Sequence, residues 1–293
     1  MEAGKQPVQY PFSPESITVG EGHRLSCLIE GEGRTVVFLH GNPSWSYLYR
    51  KVIAGLKESC RCIAPDHIGC GFSDKPQDYP YRLHNHVGNL EGLLEQLDVQ
   101  KCILVMHDWG GAIGMGWATR HPDKVEGMIV MNTAAFRSRL IPFRIALCRW
   151  PVLGPFLVRG LNGFARAAIH MAVAGKMAPE VAAGFLLPYD SWANRIGVLR
   201  FVQDIPLRED HSSWNELVDI ENKLKLLDQK PMLLCWGGRD FCFNEQFYKE
   251  WRQRFPRAEA HYFPDAGHYL LEDAFEEVFP LIRNFVHSCN RKV

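Results

Sequence analysis

Six short apolar runs, 36–39, 61–64, 102–106, 127–131, 232–236 and 260–263, recur along the chain with helix-like stretches between them. Runs that are apolar on both faces must be covered on both faces, so they predict buried parallel strands joined by crossover helices. The stretches 84–97, 112–120, 245–255 and 275–286 carry apolar residues at helical spacing. The pieces 16–19 and 25–29, split by Gly20-Glu21-Gly22, predict instead an antiparallel hairpin at one sheet edge. This rhythm stops after Met131. From about 134 to about 217 no strand-like run occurs, only amphipathic stretches separated by Pro142, Pro151, Pro155, Pro179, Pro188 and Pro206, and strands resume at Met232. The pattern is that of a helical cap, residues 134–216, inserted into an α/β core, residues 1–133 and 217–293.

At 293 residues the chain can bury a sizeable core. Lys plus Arg and Asp plus Glu balance at 33 each, which removes the global positive field of a non-specific nucleic-acid binder, so no nucleic-acid partner is expected. The nine cysteines are odd in number, scattered and without a C-x-x-C pair; they read as reduced thiols of a cytoplasmic protein. Residues 1–14 hold no apolar signal core, and nothing later offers the roughly 20 uninterrupted apolar residues of a membrane span. One segment is electrically lopsided. Between Asn132 and Pro179 stand Arg137, Arg139, Arg144, Arg149, Arg159, Arg166 and Lys176 with no Asp or Glu. A solvated helical face is the plain reading; weak contact with an anionic membrane or an acidic protein is the sharper one.

The 102–106 run continues through Met106-His107-Asp108-Trp109-Gly110-Gly111 into a helix, placing a carboxylate at a sharp turn. Asp108 stands where the nucleophile of a G-x-S-x-G elbow would stand, and Gly110 and Gly111 suit a turn that brings backbones together. Met106 departs from the small residue usual two positions before the nucleophile. An Asp here also suits a helix N-cap, but the further elements fall in the order nucleophile, acid, His of the α/β-hydrolase fold. His268, in Asp265-Ala266-Gly267-His268-Tyr269, follows the last strand, and Asp240 follows the strand before it. Asp265 and Asp273 compete as acids, although neither precedes His268 from a neighbouring strand end. His40-Gly41-Asn42-Pro43 follows the 36–39 strand, at the loop that supplies one oxyanion-hole N–H. A histidine in a helix or loop is most often a surface or core filler, and of the others only His67 and His107 stay open as site residues. No pattern calls for a metal or a cofactor.

His40-Gly41-Asn42-Pro43-Ser44-Trp45-Ser46-Tyr47, the stretch Pro65-Asp66-His67-Ile68-Gly69-Cys70-Gly71-Phe72-Ser73-Asp74-Lys75-Pro76, His107-Asp108-Trp109-Gly110-Gly111 and Gly267-His268-Tyr269 resemble the signature segments of haloalkane dehalogenases, and the resemblance covers nearly all of residues 10–286, cap included. It implies an α/β-hydrolase fold, a mostly parallel central sheet flanked by helices, with the inserted helical cap. It also implies an Asp108 nucleophile, a His268 base, an Asp240 acid, and halide-binding side chains at Asn42 and Trp109, whose backbone N–H groups form the oxyanion hole. One subfamily carries its acid after an earlier strand. The corresponding stretch here, Met131-Asn132-Thr133-Ala134-Ala135-Phe136, has no carboxylate, so the chain is similar to the branch with Asp after the later strand and Asn as second halide ligand. That branch also contains enzymes that decarboxylate β-lactones to olefins, and the segments 188–192, 200–207 and 236–243 resemble both activities.

A carboxylate attacking an sp³ carbon forms an alkyl ester on Asp108, which a His268-activated water would hydrolyse. The leading expectation is therefore a haloalkane dehalogenase, a hydrolase that converts a small halogenated alkane to alcohol and halide. The alternative is a cis-β-lactone decarboxylase forming long-chain olefins. An epoxide hydrolase ranks behind both, because those enzymes need two cap tyrosines and only Tyr189 stands between 134 and 217. Fluoroacetate dehalogenases follow the nucleophile with Arg, where this chain has Trp109. A catalytically silent ligand receptor on the same fold is the remaining reading.

Overall fold

The computed structural model describes residues 7–289; the outermost residues of the expected core, 1–6 and 290–293, lie outside the described residues, as does the start of the N-terminal stretch read for a signal segment. Eight strands, β1 Glu15–Val19, β2 His23–Glu30, β3 Arg34–Leu39, β4 Cys60–Pro65, β5 Cys102–Asp108, β6 Val125–Thr133, β7 Met232–Gly237 and β8 Glu259–Phe263, form one sheet in the order β1-β2-β4-β3-β5-β6-β7-β8. β1 and β2 make the antiparallel hairpin at one edge, β2 runs antiparallel to β4, and the pairings from β4 through to β8 are parallel. All six apolar runs of the sequence are strands.

Side chains alternate across a strand, so each central strand feeds two cores. Val37, Leu39, Leu104 and Met106 face the helices Leu83–Gln96 and Trp109–Arg120, which contribute Val87, Leu90, Ile113 and Trp117. Val36, Phe38, Ile103 and Val105 face the other way, against Val52, Ile53 and Leu56 of helix Arg50–Leu56 and Val278, Ile282 and Phe285 of helix Phe275–Ser288. Helix Arg50–Leu56 was not expected from the sequence: at seven residues it is too short for helical periodicity to stand out.

The segment after β6 holds the helices Phe143–Leu147, Gly163–Met171, Pro179–Leu186 and Ile196–Gln203. Ile145, Val158, Ala165, Val198, Leu199 and Val202 close a separate apolar cluster within it. Its return to the core is pinned by buried Asp204, which accepts from Arg82 Nη1 at 2.9 Å, Leu83 N at 2.9 Å and Ser213 Oγ at 2.7 Å. Helix Trp214–Lys223 crosses the expected boundary at 216/217 and packs on helix Trp109–Arg120 of the core. We therefore propose that the cap ends before Trp214. Among the described residues no helix is long and apolar enough to cross a membrane, and no cluster of His, Cys, Asp or Glu could hold a metal ion. All nine cysteines are free thiols.

Candidate active site

Parallel strands all point their carboxyl ends to one side of the sheet, where ligands of α/β folds collect. β5 ends there on Asp108, whose backbone takes φ 51°, ψ −125°, a region L side chains rarely adopt and which the surroundings must enforce. The enforcement is steric. A Cβ on Gly110 would lie 2.0 Å from Leu39 O, so the helix start is pressed directly on β3. Gly110→Ala is expected to lower unfolding stability by roughly 3 kcal/mol, the upper end for overpacking, and a denaturant midpoint equal to that of the parent would contradict this close approach. Met106, larger than the residue usual two positions before the nucleophile, is accommodated by a glycine on the facing helix. Its sulfur occupies the space beside Gly114, where a Cβ would meet it at 2.6 Å.

The elbow brings the sequence-derived residues into one place. Asn42 N donates to Asp108 Oδ1 at 2.6 Å, and the Trp109 backbone N–H also bonds this carboxylate. Asp108 Oδ2 faces His268 Nε2 across 3.9 Å. On the far side of the imidazole, Nδ1 donates to Asp240 Oδ2 at 2.7 Å. Asp240 Oδ1 accepts from Cys242 N at 2.6 Å and Phe243 N at 3.1 Å, so its carboxylate is fully engaged. Burial raises the Asp108 carboxyl above its ordinary value despite His268 and the two backbone donors. Burial likewise disfavours charge on Asp240, but the His268 charge and hydrogen bond and the two N–H donors outweigh it, so Asp240 is held low. Burial opposes the imidazolium too, yet Asp240 and Asp108 together raise His268 above its ordinary value.

The competing acids serve elsewhere. Asp265 is exposed and pairs with Arg239, while Asp273 accepts from Gly267 N at 2.7 Å and Ala174 N at 2.8 Å, tying the His268 loop to the cap. His107 donates from Nε2 to His268 O at 2.8 Å, and burial together with the neighbouring His268 pushes it down to about 3, so it stays neutral and positions the loop. His67 accepts nothing from the cavity either: its N–H bonds His40 Nε2 at 2.9 Å and its Nε2 meets His40 O at 3.0 Å, bracing the loop that carries Asn42. Tyr189 is buried and donates to Ser44 O at 3.3 Å, outside the cavity wall.

Two supporting contacts were not read from the sequence. Asn132, at the end of β6 with φ 36°, donates from Nδ2 to Asp240 Oδ2 and to Gly237 O, both at 3.0 Å, and accepts from Gly237 N at 2.8 Å. It thereby locks the acid and its strand end together. Val198 O of the cap accepts from Asn42 Nδ2 at 3.1 Å, which leaves the second amide hydrogen available. Among the described residues the Trp109 indole N–H finds no protein acceptor, and its ring packs 5.4 Å from Phe201. A cavity of about 340 Å³ opens over Asp108, Trp109, Asn42 and His268, walled by apolar side chains such as Phe136, Ile145, Leu157, Phe164, Met171 and Val202. The arrangement offers a buried carboxylate, two side-chain N–H donors and an imidazole–carboxylate pair to an apolar guest.

Residues 34–275 match the model of a family described as alpha/beta hydrolase fold. A cis-3-alkyl-4-alkyloxetan-2-one decarboxylase of Shewanella oneidensis is 44% identical over 272 residues, covering 90% of this chain and 86% of that protein. A second protein of that name, from Xanthomonas campestris pv. campestris, is 41% identical over 290 residues, covering 94% and 97%. The solved structure of haloalkane dehalogenase DatA from Agrobacterium tumefaciens C58 superposes with a TM-score of 0.84 at 27% identity, covering 96% of this chain and 99% of that one.

Proposed function

The chain belongs to the alpha/beta hydrolase fold family, and we propose that within it the protein is a decarboxylase of cis-3,4-dialkyl β-lactones, with Asp108 as nucleophile. This reverses the order expected from the sequence, where dehalogenation came first. The reading is carried by the likeness at high coverage to two relatives named for that activity. A carboxylate beneath an apolar cavity suits such a substrate.

The chemistry follows from a strained ring and a carboxylate. Asp108 Oδ2 attacks the sp³ ring carbon C4. The C4–O bond breaks with inversion, and its electron pair leaves on the ring oxygen as a carboxylate. The Asn42 amide and the Trp109 indole donate to that developing charge, which stabilises the transition state more than the neutral lactone. The bond between C3 and the carboxylate carbon then breaks; its electrons become the C3–C4 π bond, and the ester bond to Asp108 opens. Carbon dioxide and an alkene leave, and Asp108 returns as a carboxylate. No water is consumed and no proton moves. Inversion sets the ester oxygen anti to the carboxylate, so anti elimination keeps the two alkyl groups on the side they shared, and a cis lactone gives a cis alkene.

Dehalogenation is the second reading, favoured by one observation. The 3.9 Å between His268 Nε2 and Asp108 Oδ2, beside the His268–Asp240 pair, suits a water activated against an alkyl ester. Offered a cis-3,4-dialkyl oxetan-2-one and 1-bromohexane side by side, the protein is expected to form cis alkene faster than it releases bromide. Faster bromide release, or a β-hydroxy acid in place of the alkene, would restore the hydrolytic reading.

A further inference from the structure

The cap's outer face combines two properties that soluble surfaces keep apart. Of the eleven exposed large apolar side chains among the described residues, six fall between Leu140 and Leu161. Phe143 is 75% exposed, Trp150 60%, Val152 85% and Phe156 57%. Trp192 joins them, since a Cβ on Gly160 would touch both Phe156 and Trp192, and the Arg159 guanidinium lies 4.5 Å over the Trp192 ring. Scattered exposed apolar residues need no explanation, but a cluster of this kind marks an interaction site. The same stretch is the one without acids. Arg137 is neutralised by Glu221, while Arg139, Arg144, Arg166 and Lys176 are exposed and, among the described residues, sit in no ion pair.

The position of the patch gives it a purpose. Leu140, Arg144, Ile145, Cys148 and Leu157 wall the cavity over Asp108 from the same chain segment that exposes Phe143, Trp150, Val152 and Phe156 on its other side. Leu140 and Arg144 are both cavity wall and exposed surface, which sets an opening of the cavity beside the patch. We propose that this face docks on an anionic lipid bilayer, with the aromatic and aliphatic side chains entering the headgroup boundary, the unpaired cations on the lipid phosphates, and the cavity opening toward the acyl region. Bulky apolar residues beside Arg and Lys are the composition of interfacial membrane contacts. An acidic protein would satisfy the cations but leave Phe143, Trp150 and Val152 uncovered. An apolar guest would pass from bilayer to cavity without crossing water. The inference goes beyond the proposed reaction and stands on the patch whichever apolar substrate is turned over.

Sedimentation with vesicles tests it without any turnover, using phosphatidylcholine alone and phosphatidylcholine mixed with phosphatidylglycerol. The protein is expected to bind the mixed vesicles at low salt and to be released as salt shortens the screening length from about 10 Å at 0.1 M to about 3 Å at 1 M. The triple variant Phe143→Ser, Trp150→Ser, Val152→Ser, none of which lines the cavity, is expected to keep the parent's thermal transition and lose about tenfold or more in vesicle partitioning. Arg139→Gln with Arg166→Gln and Lys176→Gln provides a second variant, expected to bind mixed vesicles no better than the parent binds phosphatidylcholine alone. Failure to sediment with mixed vesicles at low salt overturns the proposal, as does equal binding by the parent and both variants. A stable dimer in solution that the triple serine variant dissociates, without vesicle binding by the parent, would instead assign the face to a second copy of the chain.

Discussion

Asp108→Asn is expected to leave a folded protein whose lactone turnover falls by about 10⁴-fold, the scale at which loss of an essential member of such a constellation is felt. The amide cannot ionise and is a poor nucleophile, so no ester forms on it. Folding should survive because the Asn side-chain oxygen can still accept from Asn42 N, the donor that holds Asp108 Oδ1 at 2.6 Å. Burial already disfavours charge at this site, so removing the charge relieves desolvation. Alkene formation by gas chromatography and a thermal melt check both halves. Activity within tenfold of the parent, on protein whose mass confirms the amide, would mean that another group attacks.

His268→Gln separates the two candidate reactions more sharply than any change at the nucleophile. Hydrolysis of an alkyl ester needs a base, so the variant should release one bromide per active site from 1-bromohexane and stop, with the alkyl group retained on Asp108. Collapse of the lactone-derived ester needs no base, so alkene should still form over many turnovers. The pH dependence follows with a definite sign. His268 is raised above 6.5 by Asp240 and Asp108 against burial, and hydrolysis needs its neutral form, so bromide turnover should fall as pH drops through that raised value. On the proposed mechanism lactone turnover needs only ionised Asp108, raised from 3.8 by burial, and should persist to lower pH. Without His268 the carboxylate loses a stabilising charge, so the variant's acid limb on lactone should move to higher pH. A variant that stops after a single alkene per active site would place His268 in the decarboxylation itself.

The strands and the elbow were legible because their cause is local. Apolar runs of four or five residues can be satisfied only by a sheet covered on both faces, and β3, β5, β6 and β7 lie where those runs predict. The order of Asp108, Asp240 and His268 along the chain pointed to a candidate site, since Asp108 ends β5 and the other two follow β7 and β8 in loops at the carboxyl ends of the parallel strands. What the sequence withheld depends on distant partners. Asn132 reads as an ordinary polar residue until β6 and β7 pair and bring Gly237 and Asp240 to its amide. Nothing near Asn42 announces that Val198 O, 156 residues away, will orient it. Arg137 belongs to an acid-free stretch, yet its partner Glu221 arrives from beyond the cap. The outward aim of Phe143, Trp150 and Val152 was equally hidden, because proline-broken helices as short as Phe143–Leu147 leave too few turns to say which face is buried.

With Asp108 as the proposed nucleophile, its oxygen atoms would record which reaction occurs. After many turnovers of a cis-3,4-dialkyl oxetan-2-one in heavy-oxygen water, the peptide carrying Asp108 is expected to keep its natural mass, because the ester collapses by elimination and water never attacks the Asp108 carbonyl. Heavy oxygen in that carboxylate, accompanied by a β-hydroxy acid, would mean that the ester is hydrolysed, and the decarboxylation account would be wrong.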